Sequence, residues 1–253
     1  MSKGAPKQKY TSSELAGERL LRYKVYADDI QPYLDWQLSI LRGHIGDRIL
    51  EIGCGIGCIT KLLGERELIL ALDVENDVLD YARESLSDRD YCRFALLDIT
   101  KCNDSQLAEL RDHHFDTVVC INVLEHIQHD DAALRAMYDV LEPGGKLLLL
   151  VPAHPLLYGR YDAVDGHYRR YSKRGLQALV GKTGFQVRVF RFFNALGAIG
   201  WFVEYRILRR EAHGSGSVRL MSRLMPWLRR FENVIPPIFG ISIIAVCEKP
   251  RPE

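Results

Sequence analysis

The chain has almost no net charge: 34 lysines and arginines stand against 33 aspartates and glutamates in 253 residues, a balance of +1. Such neutrality argues against the broad basic surface that a phosphate-bearing nucleic acid selects, so no nucleic-acid partner is expected. No two cysteines are spaced CxxC; the six sit at 54, 58, 92, 102, 120 and 247, four of them in or beside predicted strands or a glycine turn. Reduced, packed thiols are therefore expected, and no metal site is predicted. Met1 to Tyr10 is polar and lysine-bearing with no apolar core, so a secretory signal is not expected and a cytoplasmic location is. The strongly apolar stretch Ala195 to Val203 gives way to Glu204 and Arg206, well short of the roughly 20 apolar residues that span a bilayer. There is also no repeat at a solenoid period. The length suits one sizeable α/β domain with additions.

From Arg48 onward, short apolar runs alternate with helical patterns: Ile49 to Ile52, Leu68 to Leu72, Arg93 to Leu97, Phe115 to Ile121 and Lys146 to Val151. This alternation predicts βαβ units and a mostly parallel sheet with helices on both faces. Before it lie a loose tail and amphipathic helices broken near Gln31-Pro32, together residues 1–44. The helix behind Asp130-Asp131 carries Ala133, Leu134, Met137, Val140 and Leu141 at helical spacing, and Pro143-Gly144-Gly145 is expected to stop it. A helix near Ser172 to Val180 and a strand near Phe185 to Phe192 complete a core over 45–193. The last strand, Ile241 to Cys247, lies in the terminal segment 241–253. Between them, 194–240 is too long for an ordinary connection and is read as a helical insertion. It is predicted to hold a helix from Ala195 to about Arg209, a break at His213 to Ser217, and a helix from Val218 to about Phe231.

The first strand ends in Glu51-Ile52-Gly53-Cys54-Gly55-Ile56-Gly57, a turn that lets a bulky cofactor lie against bare backbone at a strand end. A dinucleotide turn is usually spaced GxGxxG, but Cys58 fills the slot of the last glycine, which speaks against a pyrophosphate. Glu51 points the same way, because a carboxylate repels an anion and tolerates a sulfonium or ammonium group. Asp73 ends the second strand, where a carboxylate can accept from both ribose hydroxyls. The third strand ends in Leu97-Asp98-Ile99, and Asp98 could accept from an exocyclic adenine amine. The competing role for Asp73 and Asp98 is turn or helix capping.

Together with Asn122-Val123-Leu124-Glu125-His126-Ile127 and Leu141-Glu142-Pro143-Gly144-Gly145, these motifs resemble the class I S-adenosylmethionine-dependent methyltransferases over roughly residues 45 to 192. The resemblance implies a Rossmann-like, seven-stranded, mostly parallel sheet whose last strand is antiparallel. It also implies S-adenosyl-L-methionine as cofactor, with Gly53, Gly55 and Gly57 along the methionine portion and Asp73 on the ribose. Asp98 and Ile99 would meet the adenine, and Asn122 and Val123 would border the methionine end with His126 nearby. Glu51, Cys54 and Val74 complete the cofactor set. His126 reads as a packing or hydrogen-bonding neighbour before it reads as a catalyst, and Glu125 as a local cap before a base. His113-His114 reads as a solvated turn.

The stretch after the fifth strand resembles a bacterial branch of small-molecule methyltransferases with a similar GHYRRY segment. His154 and His167 are the candidate bases, needed only if the acceptor must lose a proton. Tyr158, Arg160, Tyr168, Arg169 and Arg170 are the candidate acceptor contacts, since arginine forks match carboxylate and phosphate. The other reading is a structural loop in which His167 and the arginines satisfy carbonyls and Asp162 or Asp165. From Arg206 to Arg230, seven arginines face one acid, Glu211. Two readings stay open there: contact with a lipid surface or prenyl-type acceptor, or a lid or homodimer-forming helical pair. The expected activity is O- or C-methylation of a small molecule. The Asn/Asp-Pro-Pro-Tyr/Phe pattern of base-amino methylation and the Pro-Cys pair of cytosine methylation are both absent. The alternatives are a non-catalytic cofactor-binding partner and an NAD-dependent oxidoreductase; the latter is opposed by the glycine spacing and the lack of a plausible Tyr-x-x-x-Lys pair.

Overall fold

Successive side chains of a strand point to opposite sides, so a strand covered on both faces must be apolar throughout; that is how the central strands read. In the computed structural model, which describes residues 30–203, 225–232 and 234–252, seven strands form one sheet. They are β1 (Arg48–Ile52), β2 (Leu68–Asp73), β3 (Cys92–Leu96), β4 (Phe115–Ile121), β5 (Leu141–Pro152), β6 (Gln186–Phe193) and β7 (Ser242–Glu248). Their order is β3-β2-β1-β4-β5-β7-β6, and β7 runs antiparallel to both β5 and β6. The Rossmann-like α/β class and the antiparallel last strand are as expected.

The helices are α1 (residues 30–41), α2 (Cys58–Leu63), α3 (Asn76–Ser85), α4 (Asp104–Arg111), α5 (Asp130–Val140), α6 (Arg160–Val164), α7 (Lys173–Lys182), α8 (Ala195–Trp201) and α9 (residues 225–232). Leu147, Leu149 and Val151 turn to one core with Leu134 and Met137 of α5 and Leu176 and Val180 of α7. Leu148 and Leu150 turn to the other, with Leu34, Trp36, Leu38 and Leu41 of α1 and Ile59 and Leu63 of α2. Local caps agree with this layering: Asn103 and Gln106 close a capping box on α4, and Ser172 Oγ accepts from Gly175 N at 3.0 Å at the start of α7.

Pro143-Gly144-Gly145 does not form the expected loop. β5 begins at Leu141, directly after α5, and these residues lie inside it at an irregularity in its pairing with β4. Gly144, at φ 86°, donates its N–H to Lys249 O at 2.8 Å, while Gly145 O accepts from Lys249 N at 2.9 Å. A strand can therefore accept them because β7 takes up their hydrogen bonds. Pro32 lies within the described part of α1, so the chain is helical across the expected break at Gln31-Pro32.

The four parallel pairings, together with a β6 that runs alongside β5, bring the carboxyl ends of six strands to one edge. The insertion leaves from this edge at Phe193 and returns to it at Ser242. Its stem is closed by Ile241 N donating to Asn194 O at 3.1 Å and by Glu232, whose carboxylate accepts from Asn194 N and Ala195 N at 2.8 Å. The expected helix from Ala195 is described to residue 203 and the second one from residue 225. The remainder of both, the His213 to Ser217 break and residues 1–29 lie outside the described residues. Among the described residues, no helix is long and apolar enough to cross a membrane.

Candidate active site

The glycine turn is built by three residues in the left-handed region: Gly53 at φ 70°, Gly55 at 53° and Gly57 at 81°. Two have a further reason to be glycine. A Cβ on Gly53 would lie 2.5 Å from Val123 Cγ2, and one on Gly57 would lie 2.9 Å from Leu86 Cδ1. Gly55 differs, since a Cβ there would meet no atom within 4 Å. The backbone at Gly55 thus borders open space, the bare surface a cofactor requires.

Behind the turn, Glu51 is buried and accepts from Thr60 Oγ1 at 2.7 Å. Burial pushes its pKa up to about 7, against the hydrogen bond from Thr60 and with the charge of Asp73. Asp73 ties the turn to β2: Oδ2 accepts from Gly55 N at 2.8 Å, and Oδ1 from Val74 N at 2.7 Å and Glu75 N at 3.1 Å. The capping role is therefore real, yet Oδ2, which accepts from Gly55 N, keeps a second lone pair. Val74 itself is exposed and Cys54 is buried, its thiol pushed far up by burial.

Asp98 likewise caps, accepting from Thr100 N at 3.0 Å and Thr100 Oγ1 at 2.6 Å, with Lys101 Nζ 2.9 Å away. Burial opposes ionisation of Asp98, but these hydrogen bonds outweigh it and its pKa is lowered. Ile99 beside it is buried. Asn122, at φ 54°, turns the chain at the end of β4 with its N–H on Leu150 O at 2.9 Å. Asn122 is exposed and Val123 half-buried over Gly53. The residues of the expected cofactor set thus collect along one edge, and their chemistry fits an adenosyl sulfonium: acceptors for hydroxyls and an amine, a buried carboxyl, and open space against bare backbone.

The loop after β5 is organised around Asp162, which is fully buried. Its carboxylate accepts from Gly159 N at 2.8 Å, His167 Nδ1 at 3.0 Å and Arg170 at 2.8 Å. Burial would raise its pKa, but His167 and Arg170 hold it below the ordinary value. His167 Nε2 lies 3.3 Å from Asp165 Oδ2, so both ring nitrogens face carboxylates. Burial alone would lower the His167 pKa; Asp162, Asp165 and Glu125 raise it to about 9. A ring held in this way has no lone pair free to take a proton, which removes the geometric basis for His167 as a general base.

The sequence points to the arginines as acceptor contacts, whereas the structure turns Arg169 and Arg170 inward. Arg170 is buried, stacks 4.2 Å over the Trp201 ring and reaches Ala153 O. Arg169 binds Gln128 O at 2.6 Å and Asp130 at 3.0 Å. Tyr158 spends its hydroxyl on His167 O at 2.8 Å. Of that set, only Arg160 and Tyr168 are exposed. Tyr171, which the sequence did not single out, donates to Asp130 Oδ2 at 2.9 Å and is buried.

His154 follows β5 at φ 60° and stacks on Phe192, with centroids 5.0 Å apart and planes 13° from parallel. Burial lowers its pKa, partly countered by a hydrogen bond with the Gly240 backbone, and the nearby Arg170 charge lowers it further. Its Nε2 is buried with no hydrogen-bond partner among the described residues. Glu125 was expected to be a local cap. It is instead buried, its pKa raised to about 7 by burial against the opposing influence of its own backbone, His167 and Arg170. His126 is exposed, its ring edge-on to that of His167 at 4.6 Å. His114 pairs with Glu142 at 2.7 Å on the surface, far along the sheet from the carboxyl edge.

Residues 50–147 match the family model described as a methyltransferase domain. The match runs from β1 into β5 and takes in the glycine turn. The ubiquinone/menaquinone biosynthesis C-methyltransferase UbiE of Pseudomonas putida is 32% identical over 125 residues, 47% of this chain and 48% of that protein. The UbiE of Vibrio cholerae is 33% identical over 116 residues, 44% of each chain. The chain therefore spans about half the length of the curated relatives it matches.

Solved structures extend the likeness in fold to more of the chain. The YcgJ protein of Bacillus subtilis superimposes with a TM-score of 0.59 at 16% identity, covering 86% of this chain and 99% of that one. The N-methyltransferase NodS of Bradyrhizobium japonicum, in complex with S-adenosyl-L-homocysteine, gives 0.53 at 15%, covering 94% and 87%. The [4+2]-cyclase SpnF gives 0.57 at 17%, covering 86% and 81%. The same fold thus also carries a cyclase, and the reaction has to be argued from the site.

Proposed function

We propose that this protein transfers a methyl group from S-adenosylmethionine to an oxygen or carbon of a small-molecule acceptor. The observation that carries the reading is the glycine turn: Gly55 opens onto free space, Asp73 grips the turn, and a carboxyl, Glu51, stands where a phosphate site would tolerate none. Bound there, the cofactor would supply an already activated methyl on a sulfonium. Asp73 and Asp98 would accept from ribose and adenine, Gly53 to Gly57 would leave room for the methionine portion, and Val123 would fix the depth of the turn. In-line approach of the acceptor is then the main requirement.

His154 is the better base for an acceptor that must lose a proton, because it is held neutral and offers a buried, unpartnered Nε2. His167, Asp162 and Arg170 act as positioning residues that shape the loop. Calorimetric titration with S-adenosylhomocysteine and with NAD tests the reading: micromolar binding of the former is expected, and binding of NAD alone overturns it. A non-catalytic cofactor-binding protein would bind S-adenosylhomocysteine yet turn over no acceptor in an extract of quinols, phenols and lipids supplied with methyl-labelled cofactor.

We further propose that the insertion touches an anionic lipid surface. Trp227 is 75% exposed within the segment from Arg206 to Arg230, where seven arginines oppose one acid, and Val234 and Ile238 just after it are 76% and 89% exposed. Co-sedimentation with vesicles containing phosphatidylglycerol, lost in Trp227→Ala and at high salt, is the expected result. A concentration-dependent dimer that leaves vesicles untouched would favour the homodimer.

A further inference from the structure

The methyl-transfer reading gives no work to the group formed where the end of β4 meets the loop after β5. Ligand-capable atoms of Glu125, His126 and His167 lie within 4.8 Å of one another. An ion-pair network that satisfied itself would leave no acceptor idle. Here the Glu125 carboxylate is buried, 1% exposed, and its Oε2 has no hydrogen-bond partner among the described residues. Taking that oxygen out of water without a partner is costly, so its place in the fold asks for a ligand.

We propose that Glu125, His126 and His167 bind a divalent first-row transition cation, which takes the place of the proton on His167 Nε2. Two imidazoles and one carboxylate suit zinc, iron(II), cobalt or nickel, whereas calcium and magnesium prefer oxygen-only sites. The surrounding contacts have the form such centres use. His167 Nδ1 sits 3.0 Å from Asp162 Oδ1, the carboxylate that orients a ligating imidazole, and Asp162 is itself fixed by Arg170 and Gly159 N. Asp165 Oδ2 stands 3.3 Å from His167 Nε2, close to the ~3.4 Å that separates two donors on a tetrahedral ion with bonds of ~2.1 Å. Asp165 is thus placed to be the fourth donor or to yield its position. The exposed His126 ring gives the ion a way in from solvent.

The consequence for chemistry rests on the methyl-transfer reading, because these residues follow β4, where Asn122 and Val123 would border the methionine end. An acceptor hydroxyl bound to the ion would release its proton to water. The oxygen would then form a bond to the methyl carbon as the carbon–sulfur bond breaks and its electron pair stays on sulfur. That arrangement favours an oxygen acceptor.

The test uses the full chain without a histidine tag, stripped with chelator and dialysed. Cobalt(II) is titrated in while visible ligand-field bands are recorded, and bound zinc is measured by mass spectrometry after equilibrium dialysis. One ion per chain is expected, lost in His126→Ala and in Glu125→Gln and retained in His114→Ala. His126 is exposed, so its removal leaves the core intact, and a thermal melt verifies this. Absence of bound ion in the wild type, or equal binding in His126→Ala and Glu125→Gln, would overturn the site. S-adenosylhomocysteine binding, titrated in parallel without metal, stands or falls separately and so reports on the methyl-transfer reading alone.

Discussion

Val123, at the end of β4, occupies the space in which Gly53 would carry a side chain, its Cγ2 2.5 Å from that position. The turn after β1 is therefore locked by a residue of a different strand, whereas Gly55, two residues on, faces nothing within 4 Å. This difference separates fold from function at two neighbouring glycines of the same backbone hand.

Gly53→Ala must both adopt φ 70° and push Val123 aside, so it is expected to lower unfolding free energy by about 2 to 4 kcal/mol. Gly55→Ala carries only the left-handed backbone cost of about 1 to 2 kcal/mol, yet its methyl enters the cofactor space. Urea unfolding should rank Gly53→Ala as the less stable, and calorimetry should show S-adenosylhomocysteine binding falling at least as far in Gly55→Ala. Unimpaired binding in Gly55→Ala would mean that the cofactor lies elsewhere.

Asp73→Ala removes three hydrogen bonds from backbone N–H groups and the expected ribose contact at once. With charge-assisted hydrogen bonds worth about 1.5 to 3 kcal/mol each, cofactor affinity is expected to fall by about 10- to 100-fold. Adenosine, which lacks the methionine portion, should lose affinity by a similar factor if Asp73 holds the ribose. Loss confined to the complete cofactor would place Asp73 on the methionine instead.

The strands and the α/β class could be read from residues because they depend on local pattern: apolar runs of four to seven residues alternating with helical spacing. Pro143-Gly144-Gly145 marked the end of the helix, which stops at Val140, but not the early start of β5, since a local breaker signal cannot know that Lys249, just past β7, will complete its hydrogen bonds. The loop after β5 was the hardest to read. Arginine and histidine look alike in sequence whether they face an acceptor or a buried aspartate. Only the fold puts Asp162 beneath His167 and Arg170 and makes them internal. Glu125 was missed because a buried carboxylate carries no sequence signal beyond its apolar neighbours Val123, Leu124 and Ile127.

Asp162 holds a loop in place with one buried carboxylate. Asp162→Ala would leave Arg170, 5% exposed, without its counter-charge, and removing one partner of a buried pair costs about 3 to 5 kcal/mol. A drop of that size in urea unfolding is expected, with faster proteolysis between residues 155 and 170. Asp162→Asn keeps an acceptor for one donor and should lose less. Equal, small losses in the two variants would show that the loop is held by Tyr171 and Arg169 instead.

Glu51 sets a pH dependence whose sign follows from its burial. Its pKa rises from 4.5 to about 7 because burial disfavours the charged form, in spite of Thr60 and with help from Asp73. A raised carboxyl pKa means that the folded protein holds the proton more tightly than the unfolded chain. The stabilisation is complete below about pH 4.5, erodes as pH rises towards 7, and is gone above it. At about 1.4 kcal/mol per pH unit, the loss across that window is ~3 kcal/mol. Glu51→Gln removes the titration, so the difference in unfolding free energy between Glu51→Gln and wild type should grow in favour of the variant from pH 5 to 7 and stay level from 7 to 8. A cationic cofactor beside the turn reverses the preference, since it favours the ionised carboxyl. Cofactor affinity should therefore rise from pH 6 to 8 in the wild type and stay flat in Glu51→Gln. A parallel rise in both proteins would assign the proton to another group.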